Sequence, residues 1–413
     1  MIGDDAAQRA EPVRQPALRA TWEAILKTKL YWGLALVLVA GALLSPVDRT
    51  GASIFLDTGN LTDVLRQVSI IGIIAVGMTL VILTGGIDLS VGTAMALGST
   101  LCAMLLTQSE LTSADYVAAV AVGCAFGAIA LAILLPLMRE VPFGTPAAWI
   151  LSLAIGLSAA GLSWSLAPGG YGVVGTIVAV VCLGLCLGTV SGIIIAYGGL
   201  QSFIVTLAMM VTALGTARLT AGQDTSVYPV YTGSNAPESF DYLRSLAFGI
   251  VPVPGIIFVA LVLIAHVILT RTTLGRSIYA IGGNEMAARL SGLPVRRVKI
   301  TVFAISAALA CFSGVLYASQ YRQGKPDAGT GMELDAIAAV VIGGTSLMGG
   351  RGSVLGTMAG VLIFGLLSNI LQLRNIDSNS QLVLKGAVIV VAVLLQEGNF
   401  QTAFAAVRRY GAK

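Results

Sequence analysis

The chain has 413 residues, of which 56% are hydrophobic and 11% charged, and its mean hydropathy is +0.89. A soluble domain is usually about 25% charged, so a soluble enzyme with one large core is excluded, as are disordered, fibrous and disulfide-stapled chains. The net charge of +4 carries little nucleic-acid signal, and the 49 glycines with only 7% aromatics point to membrane helices that pack through small residues.

About 20 apolar residues cross a bilayer as a helix. After a polar tail over 1–29, which makes a poor signal peptide, apolar segments fall near 30–47, 67–87, 89–108, 116–138, 146–167, 173–197, 200–217, 245–270, 300–321, 336–350, 352–373 and 379–396. No charge occurs from Val141 to Ala217; Pro168-Gly169-Gly170 and Gly198-Gly199 divide that stretch into three. The segment at 336–350 is short and glycine-rich, which suits a half-helix or re-entrant segment. The predicted class is an all-α polytopic membrane protein of about 10–12 transmembrane helices. Its transmembrane domain occupies 30–396, and a second tail covers 397–413.

Lysine and arginine in the loops set the orientation. Residues 271–299 carry Arg271, Arg276, Arg289, Arg296, Arg297 and Lys299 against Glu285 alone. That loop is expected in the cytoplasm. Residues 218–244 and 322–335 carry more acids than bases and are expected outside. Both basic tails then read as cytoplasmic, which agrees with an even number of spans.

Two breaks interrupt the apolar pattern. The first is GGIDLSVG, Gly85–Gly92, where Asp88 is the only charge between Gln67 and Ser109. A carboxylate between membrane segments costs a few kcal/mol. Asp88, with Ser90 beside it, either caps the following helix or lines a polar pathway. The second break lies in ELDAIAAVVIGGTSLMGGRGS, 333–353, around Gly343, Gly344, Thr345 and Ser346. Two such breaks, one early and one late, point to an internally repeated transporter with interrupted helices facing a central pathway; a tight hairpin is the plainer alternative.

Two glycine stripes recur every four residues, Gly184, Gly188, Gly192 and Gly352, Gly356, Gly360. Each gives one helix a smooth face for close packing, expected within the subunit rather than between subunits. In the basic loop, Asn284 is a good N-cap, Gly292 a good stop, and Pro294 follows. The short helix over 285–291 needs something to pack on: its own membrane helices or a cytoplasmic partner.

Absences narrow the chemistry. There is no phosphate-cradling G-x-x-x-x-G-K-[ST] and no H-E-x-x-H. The single histidine, His266, excludes a histidine-based catalytic or metal cluster within the chain, and Cys102, Cys124, Cys182, Cys186 and Cys311 read as small packing residues. Energy is therefore expected from elsewhere, with no cofactor and no metal in this chain.

Four blocks in order carry a resemblance: GGIDLSVGTAMALGS, QSFIVTLAMM (Gln201–Met210), GRSIYAIGGNEMAARLSGLPVRRVKI, and ELDAIAAVVIGGTSLMGGRGSVLGTMAGVLIFGLLSN. They resemble the membrane permeases of bacterial ABC sugar importers of the ribose/xylose/galactose type, with branched-chain amino-acid permeases as more distant relatives. The resemblance covers roughly 60–110 and 186–396. It implies a type II (vitamin-importer-like) permease in the bacterial inner membrane, paired with a second permease copy as a homodimer or heterodimer. It also implies a cytoplasmic ABC ATPase that binds ATP and Mg, and a periplasmic sugar-binding protein. On this likeness Gly283, Asn284, Glu285, Ala287, Ala288 and Gly292 form the ATPase-coupling loop. Asp88, Ser90, Asp335, Gly343, Gly344, Thr345 and Ser346 are candidates for the pathway. The chain departs from the pattern between Gly92 and Gln201, where there is room for an inserted pair of spans within 110–185. A nucleoside or amino-acid permease, or a gradient-driven carrier using Asp88, is the competing expectation.

Overall fold

A computed structural model of the chain describes residues 33–47, 51–107, 111–138, 144–166, 170–222 and 227–396. The tails expected over 1–29 and 397–413 lie outside the described residues, as do Pro168 and Gly169. The helices in chain order are α1 (Gly33–Leu44), α2 (Thr58–Leu83), α3 (Val91–Thr107), α4 (Ser113–Leu137), α5 (Gly144–Leu166), α6 (Gly172–Gly198), α7 (Ser202–Thr220), α8 (Val253–Arg271), α9 (Thr273–Gly283), α10 (Glu285–Leu290), α11 (Val295–Tyr321), α12 (Met332–Ile342), α13 (Val354–Leu373) and α14 (Ser378–Gln396). Among the described residues, eight helices are long and apolar enough to cross a membrane. The chain is an all-α polytopic membrane protein, and each predicted apolar segment has a helix.

Boundaries moved where polar residues join a helix instead of ending it. The second segment was expected from 67, but α2 begins at Thr58 because the Asp57 carboxylate accepts from Gly59 N and Asn60 N, at 2.9 and 3.3 Å. The segment expected from 245 begins later, at Val253. Its first residues form a small hairpin, β2 (Leu246–Ala247) on β3 (Val251–Pro252), and Pro252 then caps α8. A second ribbon pairs β1 (Tyr228–Pro229) with β4 (Gln323–Gly324), antiparallel, joining the two loops that carry excess acid.

Helix α11 is the hub, packed against α2, α3 and α6. The contacts are backbone to backbone because the residues are small. A Cβ on Gly184 would sit 2.5 Å from Ala307 O, one on Gly188 2.7 Å from Ala304 Cα, and one on Gly192 2.7 Å from Ile300 Cα. The first glycine stripe therefore packs α6 on α11 inside the subunit. The second does the same for α13: Gly356 and Gly360 lie against Gly343 and Ala339 of α12, and Gly352 against Thr345.

Polar side chains add fixed points. Thr79 and Thr357 share a 2.8 Å bond between α2 and α13, and Ser313 Oγ donates to Ile70 O at 2.8 Å. In an apolar medium an unpaired hydroxyl is costly, so each such bond sets helix register.

The α4–α5 pair stands apart. The two helices interlock through Gly123, Gly127 and Gly156, and α4 in turn rests on α6. Much of α5, including Trp149, Ile150 and Leu153, is exposed.

Candidate functional site

Helix α3 does not start at the end where α2 stops. After Leu83 the chain climbs back beside α11. Gly86 lies against Phe303, Asp88 reaches Ser306, and α3 then runs past Cys311, whose thiol donates to Ala94 O at 3.2 Å. The first break is thus a re-entrant turn. Asp88 is 1% exposed. Its Oδ1 accepts from Ser90 N (3.0 Å) and Ser90 Oγ (2.6 Å), and its Oδ2 accepts from Ser306 Oγ (3.0 Å). Three short bonds on a buried carboxylate make an anchor between the turn and α11. Neighbouring Ile87 is held as well: its N–H donates to Ser202 Oγ at 3.0 Å and its carbonyl accepts from Thr206 Oγ1 at 3.1 Å. The block at Gln201–Met210 is therefore tied to the first break through α7.

The second break ends α12 at Gly343 and turns at Gly344, with φ +86°. Ser346 N donates to Arg351 O at 2.8 Å, and Ser346 Oγ accepts from Met348 N at 3.3 Å. Thr345 is fully buried, and its hydroxyl has no partner among the described residues. Ser353 then caps α13, accepting from Gly356 N at 3.0 Å.

The two breaks meet. Gly350 N donates to Leu83 O at 3.0 Å. A Cβ on Gly349 would stand 2.8 Å from Gly85 N and 3.1 Å from Gly282 Cα, and one on Gly350 would stand 2.8 Å from Gly283 N. Gly85, Gly349 and Gly350 all hold positive φ, and at Gly349 and Gly350 glycine is required twice over, for conformation and for space. Tyr279 OH adds a 2.9 Å bond to Gly352 O. Three backbone turns, from α2, α9 and the α12–α13 break, thus form one glycine junction. Gly282, Gly349, Gly350 and Tyr279 were not among the predicted site residues. The Gly282-Gly283 doublet was the available signal, of which Gly283 alone was predicted, as part of the coupling loop.

Directly after the junction comes α10. Asn284 Oδ1 accepts from Ala287 N at 2.9 Å, which is the predicted N-cap. Gly292 has φ +80° while Leu293 N donates to Ala288 O at 3.1 Å, so a Schellman turn ends the helix at the predicted stop. Ala288 is 4% exposed and faces inward, whereas Met286 and Leu290 are 64% and 82% exposed. The helix therefore rests on its own chain by one face and presents the other. Glu285 holds it down, pairing with Lys299 of α11 at 2.7 Å and with Arg289 at 3.2 Å. Burial pushes the Glu285 carboxyl up, but the hydrogen bonds and charges of Lys299 and Arg289 outweigh it and keep the group below the usual glutamate range.

A cavity of about 440 Å³ opens beside this assembly. Its walls are the first break (Thr84–Ile87), the α6–α7 turn (Gly199–Phe203) and the Glu285–Lys299 pair. Asp88 and Ser90 lie behind that wall, not on it. Of the remaining predicted residues, Asp335 sits apart in the first turn of α12 and pairs with Lys385 of α14 at 2.8 Å. Lys385 was also missed from the sequence, although a lone charge inside an apolar run was the signal.

Three comparisons bear on this arrangement. The sequence model of the family described as branched-chain amino acid transport system / permease component matches residues 60–157 and 150–393. The ribose import permease protein of Haemophilus influenzae is 37% identical over 344 residues, covering 82% of this chain and 85% of that relative. The ribose import permease protein of Escherichia coli K12 is 37% identical over 365 residues (87% of this chain, 92% of the relative), and its xylose transport system permease protein is 34% identical over 393 residues (82% and 85%). No solved structure matches the chain.

Proposed function

We propose, since this chain belongs to the family of branched-chain amino acid transport system permease components, that it is the membrane permease of an ATP-driven bacterial importer whose cargo is a monosaccharide of the ribose or xylose class. The cargo assignment is supported by relatives named as ribose and xylose permeases at 37% and 34% identity. The chain does no chemistry on its cargo. ATP and Mg belong to a cytoplasmic ABC ATPase, a periplasmic sugar-binding protein delivers the solute, and a second permease copy completes the pathway. The basic loop at 271–299 faces the cytoplasm of a cell with this chain in its inner membrane, and both termini lie on the same side.

One observation carries the coupling mechanism: α10 presents an apolar face while its roots reach the glycine junction. The ATPase docks on Met286 and Leu290. Its movement passes through the Glu285–Lys299 pair to α11, and through α9 to Gly282 and Gly283, where both breaks converge. Sliding there is mostly backbone against backbone, with the Tyr279 hydroxyl bond to Gly352 O the side-chain contact to release. The cavity bounded by Thr84–Ile87 and Gln201 is the inner exit.

The test replaces Met286 and Leu290 together with glutamate. Both are exposed, so the chain folds and reaches the membrane in normal amount. Co-purification of the ATPase is lost and sugar uptake falls below about a tenth. Unimpaired uptake would overturn the docking role.

The family description itself names branched-chain amino acids, which keeps one alternative cargo in view; uptake of L-leucine in preference to D-ribose and D-xylose would establish it. A gradient-driven carrier using Asp88 has less support, because both carboxylate oxygens are taken by Ser90 and Ser306. The α4–α5 pair occupies the place expected for the inserted pair within 110–185; the two stretches of the family match, 60–157 and 150–393, overlap inside α5.

A further inference from the structure

At the end opposite the basic loop, α2, α12, α13 and α14 enclose a second cavity of about 120 Å³. Two charges line it. Asp335 Oδ2 accepts from Lys385 Nζ at 2.8 Å, and the side chains are only 16% and 21% exposed. The bond uses one oxygen and one N–H. Asp335 Oδ1 and the other ammonium hydrogens have no partner among the described residues. The same holds for two further lining groups, the Gln67 amide and the Tyr321 hydroxyl. Phe364 completes the wall, with Lys385 Nζ 5.2 Å from its ring centre.

This set selects a chemistry. It offers unused donors and unused acceptors, carries no net charge and includes two aromatic rings, Tyr321 and Phe364. A hydroxyl both donates and accepts, so neighbouring hydroxyls of a neutral polyol can bridge Asp335 and Lys385 without breaking their pair. An anion or cation would have to take one partner and strand the other, at high cost in a buried site. A zwitterionic amino acid would have to pull the pair apart to meet both ends. The volume lies well below the roughly 300–1,000 Å³ that encloses a drug-sized ligand, so the site grips one edge of a sugar and does not surround it.

We propose that this cavity is an entry site in which Asp335, Lys385, Gln67 and Tyr321 bind the hydroxyl edge of a monosaccharide. The inference rests on the sugar cargo assigned above and adds where and how that cargo is first held by the permease. Binding there is weak, as suits a station on a pathway.

The experiment uses the full chain in lipid nanodiscs, with saturation-transfer NMR of D-ribose, D-xylose and L-leucine, alongside uptake by cells carrying the intact importer. The sugars give a signal that Gln67→Leu weakens. The double variant Asp335→Leu with Lys385→Met keeps the thermal midpoint, because an apolar pair replaces a buried ion pair without stranding a charge. It loses the sugar signal and raises the KM of uptake by about tenfold or more, the cost of hydrogen bonds to charged groups. An unchanged sugar signal in both variants would leave the pair a structural tie and overturn the site. So would a cavity-dependent signal from L-leucine. Wild-type uptake of D-ribose or D-xylose without any cavity-dependent signal removes the site and leaves the cargo standing. Absence of uptake of both sugars by the wild type removes the cargo reading itself.

Discussion

The two breaks in the membrane segments solve the same problem by opposite means. The first, at Gly85–Ser90, is held by side chains: Asp88 takes three hydrogen bonds from Ser90 and Ser306, and Ile87 is bonded on both sides to α7. The second, at Gly343–Gly352, is held mainly by backbone, with side-chain bonds only from Ser346 and Tyr279 among the described residues. Its glycines occupy conformations and spaces closed to other residues, and its most buried hydroxyl, on Thr345, is left unpaired. A turn fixed by hydrogen bonds keeps its place. A turn fixed by packed backbone can shift as long as the surfaces stay smooth. On the coupling mechanism proposed above, the first break is the post and the second is the part that moves against it.

Substitutions at the two breaks sharpen this contrast. The largest effect is expected from Gly350→Val, which adds strain at positive φ and a clash with Gly283; over about 4 kcal/mol is lost, and folded protein disappears from gel filtration in detergent. Next comes Asp88→Leu, which strands the hydroxyls of Ser90 and Ser306. It lowers stability by about 2–3 kcal/mol in thermal melts, while Asp88→Asn recovers part of the loss; equal melts for the two variants would show that the anchor is unimportant. A smaller effect belongs to Glu285. Its folded carboxyl lies below the usual range, so its contribution is complete above the unfolded pKa and is lost as pH falls through the folded one. Relative to the intrinsic exchange rate at each pH, protection of the α10 amides therefore falls below about pH 4, and Glu285→Gln lowers that protection and removes its pH dependence over that range. The least effect is expected from Thr345→Val. Removing a hydroxyl that bonds to nothing changes stability by no more than about 0.5 kcal/mol, and a loss as large as that of Asp88→Leu would break the comparison.

Much of this was legible in the sequence. Hydropathy placed the helices, and the glycines and the lone Asp88 marked both breaks. Asn284 and Gly292 bounded α10 correctly, because caps are local signals. The glycine stripes lie at helix contacts within the chain, where their four-residue spacing put them. What stayed hidden was convergence. Leu83, Gly282 and Gly350 are far apart in the chain, and no spacing rule brings their turns together. The partnership of Asp335 with Lys385 was hidden for the same reason. Lys385 itself was passed over because one charge does not disturb the average of an apolar run. The early start of α2 was missed because Asp63 and Arg66 end a charge-free run when counted as charges, and Asp57 becomes a beginning only when recognised as a cap.

The glycine junction has a consequence for how such proteins diversify. If it closes the pathway as proposed, a junction made almost wholly of peptide backbone has few side-chain groups with which to recognise what passes. It is blind to cargo, and nothing about a new cargo asks it to change. On the site proposed above, residues around Asp335 and Lys385 could be changed toward a different solute while the junction stays as it is. One moving part can thereby serve a lineage of transporters with different tastes.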